Sequence, residues 1–400
     1  MKILVVSQHY FPENFLITEI CEELCKNGHI VEVVCGLPNY PKGKIFPGYK
    51  SKDKREQIIN GVIIHRCKEI GRGSDKFHLL INYYSFVRNA VRKLKKLKSK
   101  FDIILCNQLS PIFSLKPAIY YKKKTNTPLL TYCLDIWPES ALGHLKNSKS
   151  FVYRAICKIS KKYYSFSDLI AVTSKPFIEY LNKTNDVSLD KLIYLPQHAN
   201  NFYYLMDLSK VITTPATFLF AGNLGKGQRV DVLISACENL KGEYKVLIVG
   251  DGSEKQNLIK LSKQKKLENK IIFINAVSKK ELANYYKEAD ALILTLRGNN
   301  FVGNTVPGKL QTYMSVGKPI FASINGGAND IIRESGCGVA VTAENPLKLA
   351  EVMQDFIENP QKYSECGKKA KDYFCKHFTL DIFIKELTKI MRKIVDEKNK

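Results

Sequence analysis

Short apolar, β-branched runs alternate with helix-length stretches along nearly the whole chain, and this alternation restricts the fold more than any other feature. In the second half the runs are Thr217–Ala221, Tyr244–Val249, Lys270–Ile274, Ala291–Leu296, Pro319–Ile324 and Gly338–Val341. Between them lie Val230–Leu240, Glu254–Lys266, Lys279–Glu288, Pro307–Ser315 and Asp330–Glu334, which predict helices. Strands that are apolar throughout and crossed by helices imply a parallel sheet covered on both faces. The first half repeats the pattern at Ile3–Val6, Ile30–Cys35, Val62–Arg66, Ile103–Cys106, Leu129–Leu134, Leu169–Thr173 and Leu192–Leu195, with Gly28 stopping a helix over Ile17–Lys26. Periodicity is lost near Gln197–Thr214. The reading is α/β: two doubly wound domains, 1–200 and 201–375, facing across a cleft. A terminal segment, 376–400, carries an amphipathic helix (Leu380–Val395) expected to pack back on the first domain. Ligands of such sheets bind beyond the carboxyl ends of the strands, so the cleft is the expected site.

Composition narrows the partners. A chain of 400 residues suits two or three domains, and 45% hydrophobic with 25% charged residues excludes wholesale disorder. No apolar run is long enough to span a bilayer, and Met1–Ser7 reads as a buried first strand rather than a signal peptide. The eleven cysteines are scattered, without C-x-x-C pairs or zinc spacing, which favours a reducing compartment and disfavours a structural metal. A net charge of +24 attracts polyanions: nucleic acid, anionic lipid or phosphorylated substrates. No helix-turn-helix, RNA-binding or zinc-finger signature supports nucleic acid.

The strand ends carry the candidate chemistry. After the first strand stands His9, a possible general base or a hydrogen-bonded structural histidine. No G-x-G-x-x-G or Walker A motif accompanies it. Asp135-Ile136-Trp137-Pro138-Glu139-Ser140 places two carboxylates and the only tryptophan past another strand end, as a helix entry, a substrate contact or both. In the second half, Gly222-Asn223-Leu224-Gly225-Lys226-Gly227 is a glycine turn between strand and helix, suited to phosphate or to a plain turn. Asn304-Thr305-Val306-Pro307-Gly308-Lys309-Leu310 is the sharpest constellation. Pro307 is expected at the first helical position. Lys309 in the first turn is electrostatically misplaced unless an anion sits on that terminus. Phe77–Lys100 has no acidic residue and an apolar stripe at helical spacing, with Arg88, Arg92, Lys95 and Lys96 on the remaining surface. This suits an anionic membrane surface, or an ordinary helix with its lysines in water; Phe151–Phe166 would extend the same patch.

With these residues in view, the chain resembles the retaining glycosyltransferases of family 4 with the GT-B fold, and among them the WbuB-like bacterial O-antigen and capsule branch. The resemblance rests on Tyr10-Phe11-Pro12-Glu13-Asn14, Pro38-Asn39-Tyr40-Pro41-Lys42-Gly43, Asp135–Ser140 and Pro196-Gln197-His198 in the first domain. In the second it rests on Gly222-Asn223, Val249-Gly250-Asp251-Gly252, Pro307-Gly308-Lys309-Leu310 and Tyr313–Pro319. It implies two Rossmann-like domains, a nucleotide-sugar donor (a UDP-sugar) in the second, a polyprenyl-diphosphate-linked saccharide acceptor in the first, no metal or other cofactor, and work at the inner face of the cytoplasmic membrane. Taken together with the strand ends read above, catalysis is expected of Asp135, Glu139 and His9. Donor binding falls to Gly222, Asn223, Lys226, Gly250, Asp251, Arg297, Thr305, Pro307, Gly308 and Lys309. Acceptor binding falls to Glu13, Asn14, Asn39, Tyr40 and Trp137.

Three departures separate the chain from the wider family. The Arg and Lys that clamp the donor diphosphate there fall on Asn223 and Gly227, with Lys226 displaced by one. The Glu-x7-Glu pair falls on Asn304 and Thr312, and the histidine before the acidic strand end is lost, leaving Leu134-Asp135. Lys309, with Lys226 and assisted by Arg297, is the expected substitute for the clamp. Three alternatives remain open: an inverting GT-B transferase with His9 as base, a GT-B sugar-nucleotide epimerase, and a non-enzymatic nucleic-acid binder.

Overall fold

The computed structural model describes residues 1–73, 75–143, 145, 147–210, 215–298 and 303–399. The chain divides into two compact units, Met1–Leu195 with Ile384–Lys400, and Pro196–Phe383. The divisions thus fall after residues 195 and 383, rather than after 200 and 375. Part of the connection expected over Gln197–Thr214, residues 211–214, lies outside the described residues. The last helix, Leu380–Asn399, carries its length from Ile384 onward in the first unit.

In the first unit eight strands form one sheet: β1 (Lys2–Val6), β2 (Ile30–Cys35), β3 (Glu56–Ile59), β4 (Val62–Arg66), β5 (Ile103–Gln108), β6 (Leu129–Cys133), β7 (Leu169–Val172) and β8 (Leu192–Tyr194). Their order is β3-β4-β2-β1-β5-β6-β7-β8, parallel except for the β3–β4 hairpin. β1 is flanked by β2 and β5, with Val6 opposite Val34 and Cys106, so the strand order reverses there. Ile3, Leu4 and Val5 have no exposed surface, as a sheet covered on both faces requires. β3 has no counterpart among the expected strands. It is an edge strand of alternating exposed and half-buried residues, so it lacks the apolar run of its neighbours. The two-residue turn Asn60-Gly61, with both residues at positive φ, is the signal that marks it.

In the second unit six parallel strands, β9 (Ala216–Ala221), β10 (Tyr244–Val249), β11 (Ile271–Ile274), β12 (Ala291–Thr295), β13 (Ile320–Ser323) and β14 (Gly338–Val341), are ordered β11-β10-β9-β12-β13-β14. The pleat of β9 sends Leu219 and Ala221 into one apolar layer and Phe218 and Phe220 into the other. β9, between β10 and β12, is the point of reversal in this sheet. The helix expected over Asp330–Glu334 runs longer, Gly326–Ser335. Both sheets are therefore doubly wound, with a topological switch point at β1 in one and β9 in the other.

Candidate active site

Each switch point gathers part of the candidate chemistry. In the second unit β9 ends at Ala221, whose N–H donates to the Tyr313 hydroxyl at 2.8 Å. Gly222 then turns away at φ +143 and Gly250, after β10, at φ +153. The two turns lie so close that a Cβ on Gly250 would stand 1.9 Å from the Gly222 carbonyl oxygen. Only glycine fits there. The helix Gly308–Val316 follows β12 in the chain; Leu310, Tyr313 and Met314 anchor it in the core, and it stops at Gly317 in the left-handed region. Pro307 is its N-cap rather than its first helical residue, and Gly308 is exposed.

Lys309, in the first turn of that helix, is turned inward. Its ammonium donates to Gln228 Oε1 at 2.9 Å and lies 3.6 Å from the centre of the Phe220 ring. A Cβ on Gly222 would meet it at 3.1 Å. No carboxylate among the described residues pairs with it. Burial alone pushes its pKa down to about 7. Gln228, which holds it, was not among the candidates: 81 positions separate the two residues, and only the tertiary fold joins them.

The other donor candidates separate into two groups. Asp251 accepts from Gly252 N through its side chain and from Leu224 N through its carbonyl, which ties the glycine turn. Exposed Asn223 lies against Gly225 and Gly252, and Thr305 is half-buried. Lys226 and Arg297 line a separate hollow of about 330 Å³ with Arg229, and Lys309 is not part of its lining. The expected grouping of Lys226 and Arg297 with Lys309 is corrected on this point. Arg229 there is already neutralised by Asp231 and Glu344.

In the first unit, Asp135 follows β6 and accepts a hydrogen bond from Ser110 N at 2.9 Å; Ser110 lies just past the end of β5. Burial raises the Asp135 pKa, and the Ser110 hydrogen bond opposes that rise. Glu139 goes elsewhere: it accepts from the Tyr180 hydroxyl at 3.2 Å. The two carboxylates expected to act together have different partners, because the short 3₁₀ turn Glu139–Gly143 faces the second toward the helix Pro176–Asn185. The Trp137 indole donates to Ser110 Oγ at 3.1 Å. Ser110 carries no signal in the sequence pattern, because the apolar run ends at Cys106 whereas β5 continues through polar Asn107 to Gln108.

Beside β1, His9 places Nδ1 3.0 Å from Glu13 Oε2 and stacks on Phe15 at 4.8 Å. Glu13 is held in turn by backbone N–H groups of Asn39 at 2.8 Å and Tyr40 at 2.7 Å. Asn39 has no exposed surface, and its side chain donates to Leu37 O and accepts from Arg72 N. It shapes the loop instead of facing an acceptor, which corrects its expected role. Tyr40 and Asn14 are exposed. Next to this cluster Glu69, also missed, accepts from Gln8, Asn82 and Leu37 N, and burial pushes its pKa up to about 8.

On the same unit an open apolar groove of about 870 Å³ lies along the helix Lys76–Lys96. Arg88, Arg92 and Lys95 line it, whereas Lys96 is exposed elsewhere on the helix. No described helix is long and apolar enough to cross a membrane, and no described group of three His, Cys, Asp or Glu side chains is placed to hold a metal ion.

The switch point of the second sheet thus gathers a glycine turn, a helix N-terminus and a lysine with no counter-ion among the described residues, features suited to a phosphate-bearing ligand. The family comparison is more specific. Residues 15–197 match Glycosyltransferase Family 4 and residues 208–373 match Glycosyl transferases group 1, so the chain carries both domains of the GT-B glycosyltransferase fold. It is 24% identical over 263 residues to the uncharacterized glycosyltransferase MJ1069 of Methanocaldococcus jannaschii, a match spanning 64% of this chain and 65% of that relative. It is 22% identical over 343 residues to the D-rhamnosyltransferase WbpZ of Pseudomonas aeruginosa, covering 82% of each chain. The structure of the Anabaena protein HepE in complex with UDP superposes with a TM-score of 0.74 at 14% identity, covering 98% of this chain and 100% of that one.

Proposed function

We propose that the protein moves a sugar from a nucleotide-sugar, a UDP-sugar, to a polyprenyl-diphosphate-linked saccharide in surface-polysaccharide assembly. In this reading it acts with retention at the anomeric carbon, without a metal ion, as a peripheral protein on the cytoplasmic face of the cytoplasmic membrane. The observation that carries the reading is Lys309: a cation turned inward onto Phe220 and Gln228, with no described carboxylate beside it. Desolvating such a charge is unfavourable unless an anion completes the site. In this reading the donor diphosphate lies over Gly222 and the N-terminus of the helix Gly308–Val316, which has no side-chain cap and so suits an anion. There Lys309 stabilises the charge that develops as the nucleoside diphosphate leaves. HepE, similar in fold, holds UDP, which supports this choice of donor. In the first unit Asp135, oriented by Ser110, guides the acceptor hydroxyl.

One observation favours a second reading, an inverting transferase. Glu13 lies on Nδ1 of His9, so the tautomer that donates to it through Nδ1–H presents Nε2 as the acceptor nitrogen, the orientation a general base needs. The anomeric configuration of the product, read by NMR, separates the two. The first reading is tested with a panel of nucleotide-sugars and membrane lipid extract, scoring released nucleoside diphosphate and glycolipid. Lys309→Ala should lower the rate on the order of 10²–10³-fold, and an unchanged rate in that variant refutes the proposal.

A further inference from the structure

The groove along the helix Lys76–Lys96 has a composition that the membrane-surface reading of that helix does not require. Only one flank of the helix is used by the core, through Phe86, Ala90 and Leu94, none of which has exposed surface. A second flank, including Leu80, Tyr84 and Val91, lines the groove, and Val152 and Ile156 of the helix Phe151–Tyr164 line it too. Leu80 and Tyr84 are 66% and 67% exposed, so apolar surface here lies open to solvent. Arg88, Arg92, Lys95 and Lys116 also line it; none has an ion-pair partner among the described residues, and no acidic residue is among the described lining. An apolar trough edged only by cations complements an amphiphile with an apolar tail and an anionic head. At about 870 Å³ it falls in the size range of sites that enclose an elongated small molecule.

Its position gives the occupant. Pro111 and Trp137 line the groove; Pro111 follows Ser110 in the chain and Trp137 lies two residues after Asp135, the pair assigned above to the acceptor. The Trp137 indole bonds directly to Ser110. We propose that the groove takes the isoprenoid segment of the acceptor nearest its diphosphate, the tail lying over Leu80, Tyr84 and Val91 and the diphosphate meeting Arg88 and Arg92. The inference rests on the acceptor reading above and deepens it, because it assigns recognition of the lipid itself to this unit.

Trp137 is the only tryptophan in the chain, so its fluorescence reports on the groove alone. The full-length protein is titrated with geranyl, farnesyl and geranylgeranyl diphosphate, with inorganic pyrophosphate, and with phosphatidylglycerol vesicles. The expected result is a Trp137 emission shift whose half-saturation tightens about tenfold or more from the geranyl to the geranylgeranyl ligand, with no shift from pyrophosphate. Leu80→Asp and Tyr84→Asp, both at exposed positions, should weaken the geranylgeranyl ligand about tenfold while the melting temperature stays unchanged. Equal half-saturation for all tail lengths overturns the proposal, as does a shift produced by vesicles alone. Sugar transfer to a lipid acceptor whose KM ignores tail length overturns the groove but leaves the transferase reading intact. A tail-dependent shift in a protein that transfers nothing does the reverse.

Discussion

Replacing Lys309 by methionine removes the ammonium while keeping much of the apolar stem, and this separates a phosphate ligand from a packing residue. In the free protein burial holds the Lys309 pKa down to about 7. A bound diphosphate favours the charged form and moves that pKa back toward the ordinary lysine value of about 10.4. Binding then takes up a proton between those limits, and affinity for UDP falls as pH rises through about 7, approaching tenfold per pH unit. From pH 7 to pH 9 the dissociation constant should grow on the order of 50-fold. The terminal phosphate of UDP titrates near pH 6, below this window, and does not contribute. Isothermal titration calorimetry at several pH values measures the slope. Lys309→Met should bind about 10–100-fold more weakly at pH 7, the loss of one hydrogen bond to a charged group, and show no slope. The variant should also be more stable. The lowered pKa opposes folding fully below about 7 and ceases to do so near 10.4, so the gain is largest at and below pH 7 and fades as pH rises. A wild-type dissociation constant that is constant from pH 7 to 9, or a Met variant with the same slope, refutes the assignment of Lys309 to the diphosphate.

Three further outcomes are expected. Gly250→Ala drives a Cβ into the Gly222 carbonyl at a φ of +153, so urea denaturation should show a loss of about 3 kcal/mol or more; an unchanged midpoint would mean the two turns are not locked. Tyr313→Phe leaves the buried Ala221 N–H without its acceptor and should destabilise by about 1–3 kcal/mol, measured the same way. Asp135, its pKa raised by burial, should set an acid limb above the usual aspartate range, with kcat/KM falling as pH drops through it. Asp135→Asn should abolish that limb and lower the rate on the order of 10²-fold, and a variant that keeps the limb shows that another group is responsible.

Legibility from sequence followed burial. Tyr244–Val249 and Ile30–Cys35 have the bounds their apolar runs suggest, because a strand covered on both faces must be apolar at nearly every position. β3 escaped for the opposite reason: one of its faces is wet, and its hairpin turn was the only local sign. Side-chain direction beyond a strand end was not legible. Asp135 and Glu139 lie four residues apart and look like a pair, yet loop geometry and the position of Tyr180 send them to different partners. The same holds for Asn39, whose segment belongs to the specific part of the resemblance but whose side chain is consumed in bonds to Leu37 O and Arg72 N, while its backbone N–H holds Glu13.

Lys309 was visible because it violates a local rule, and the violation becomes more informative in three dimensions. A lysine at a helix N-terminus is tolerated on a surface, where water screens it and the penalty is a few tenths of a kcal/mol. Here the side chain turns away from that solution and lies on the Phe220 face, with a neutral amide as its hydrogen-bond partner. Packing alone would be served better by methionine or leucine at this position, since either fills the space without desolvating a charge. The glycines around it have the same character. Gly222 leaves open the volume beside the ammonium that a Cβ would fill, and Gly250 lets the two turns approach so that this opening sits at the switch point. A lysine with no counter-ion among the described residues, a cleared space next to it and a helix N-terminus without a side-chain cap converge on one point after β9. If the diphosphate binds there as proposed, these features are destabilising in the empty protein and become favourable on binding.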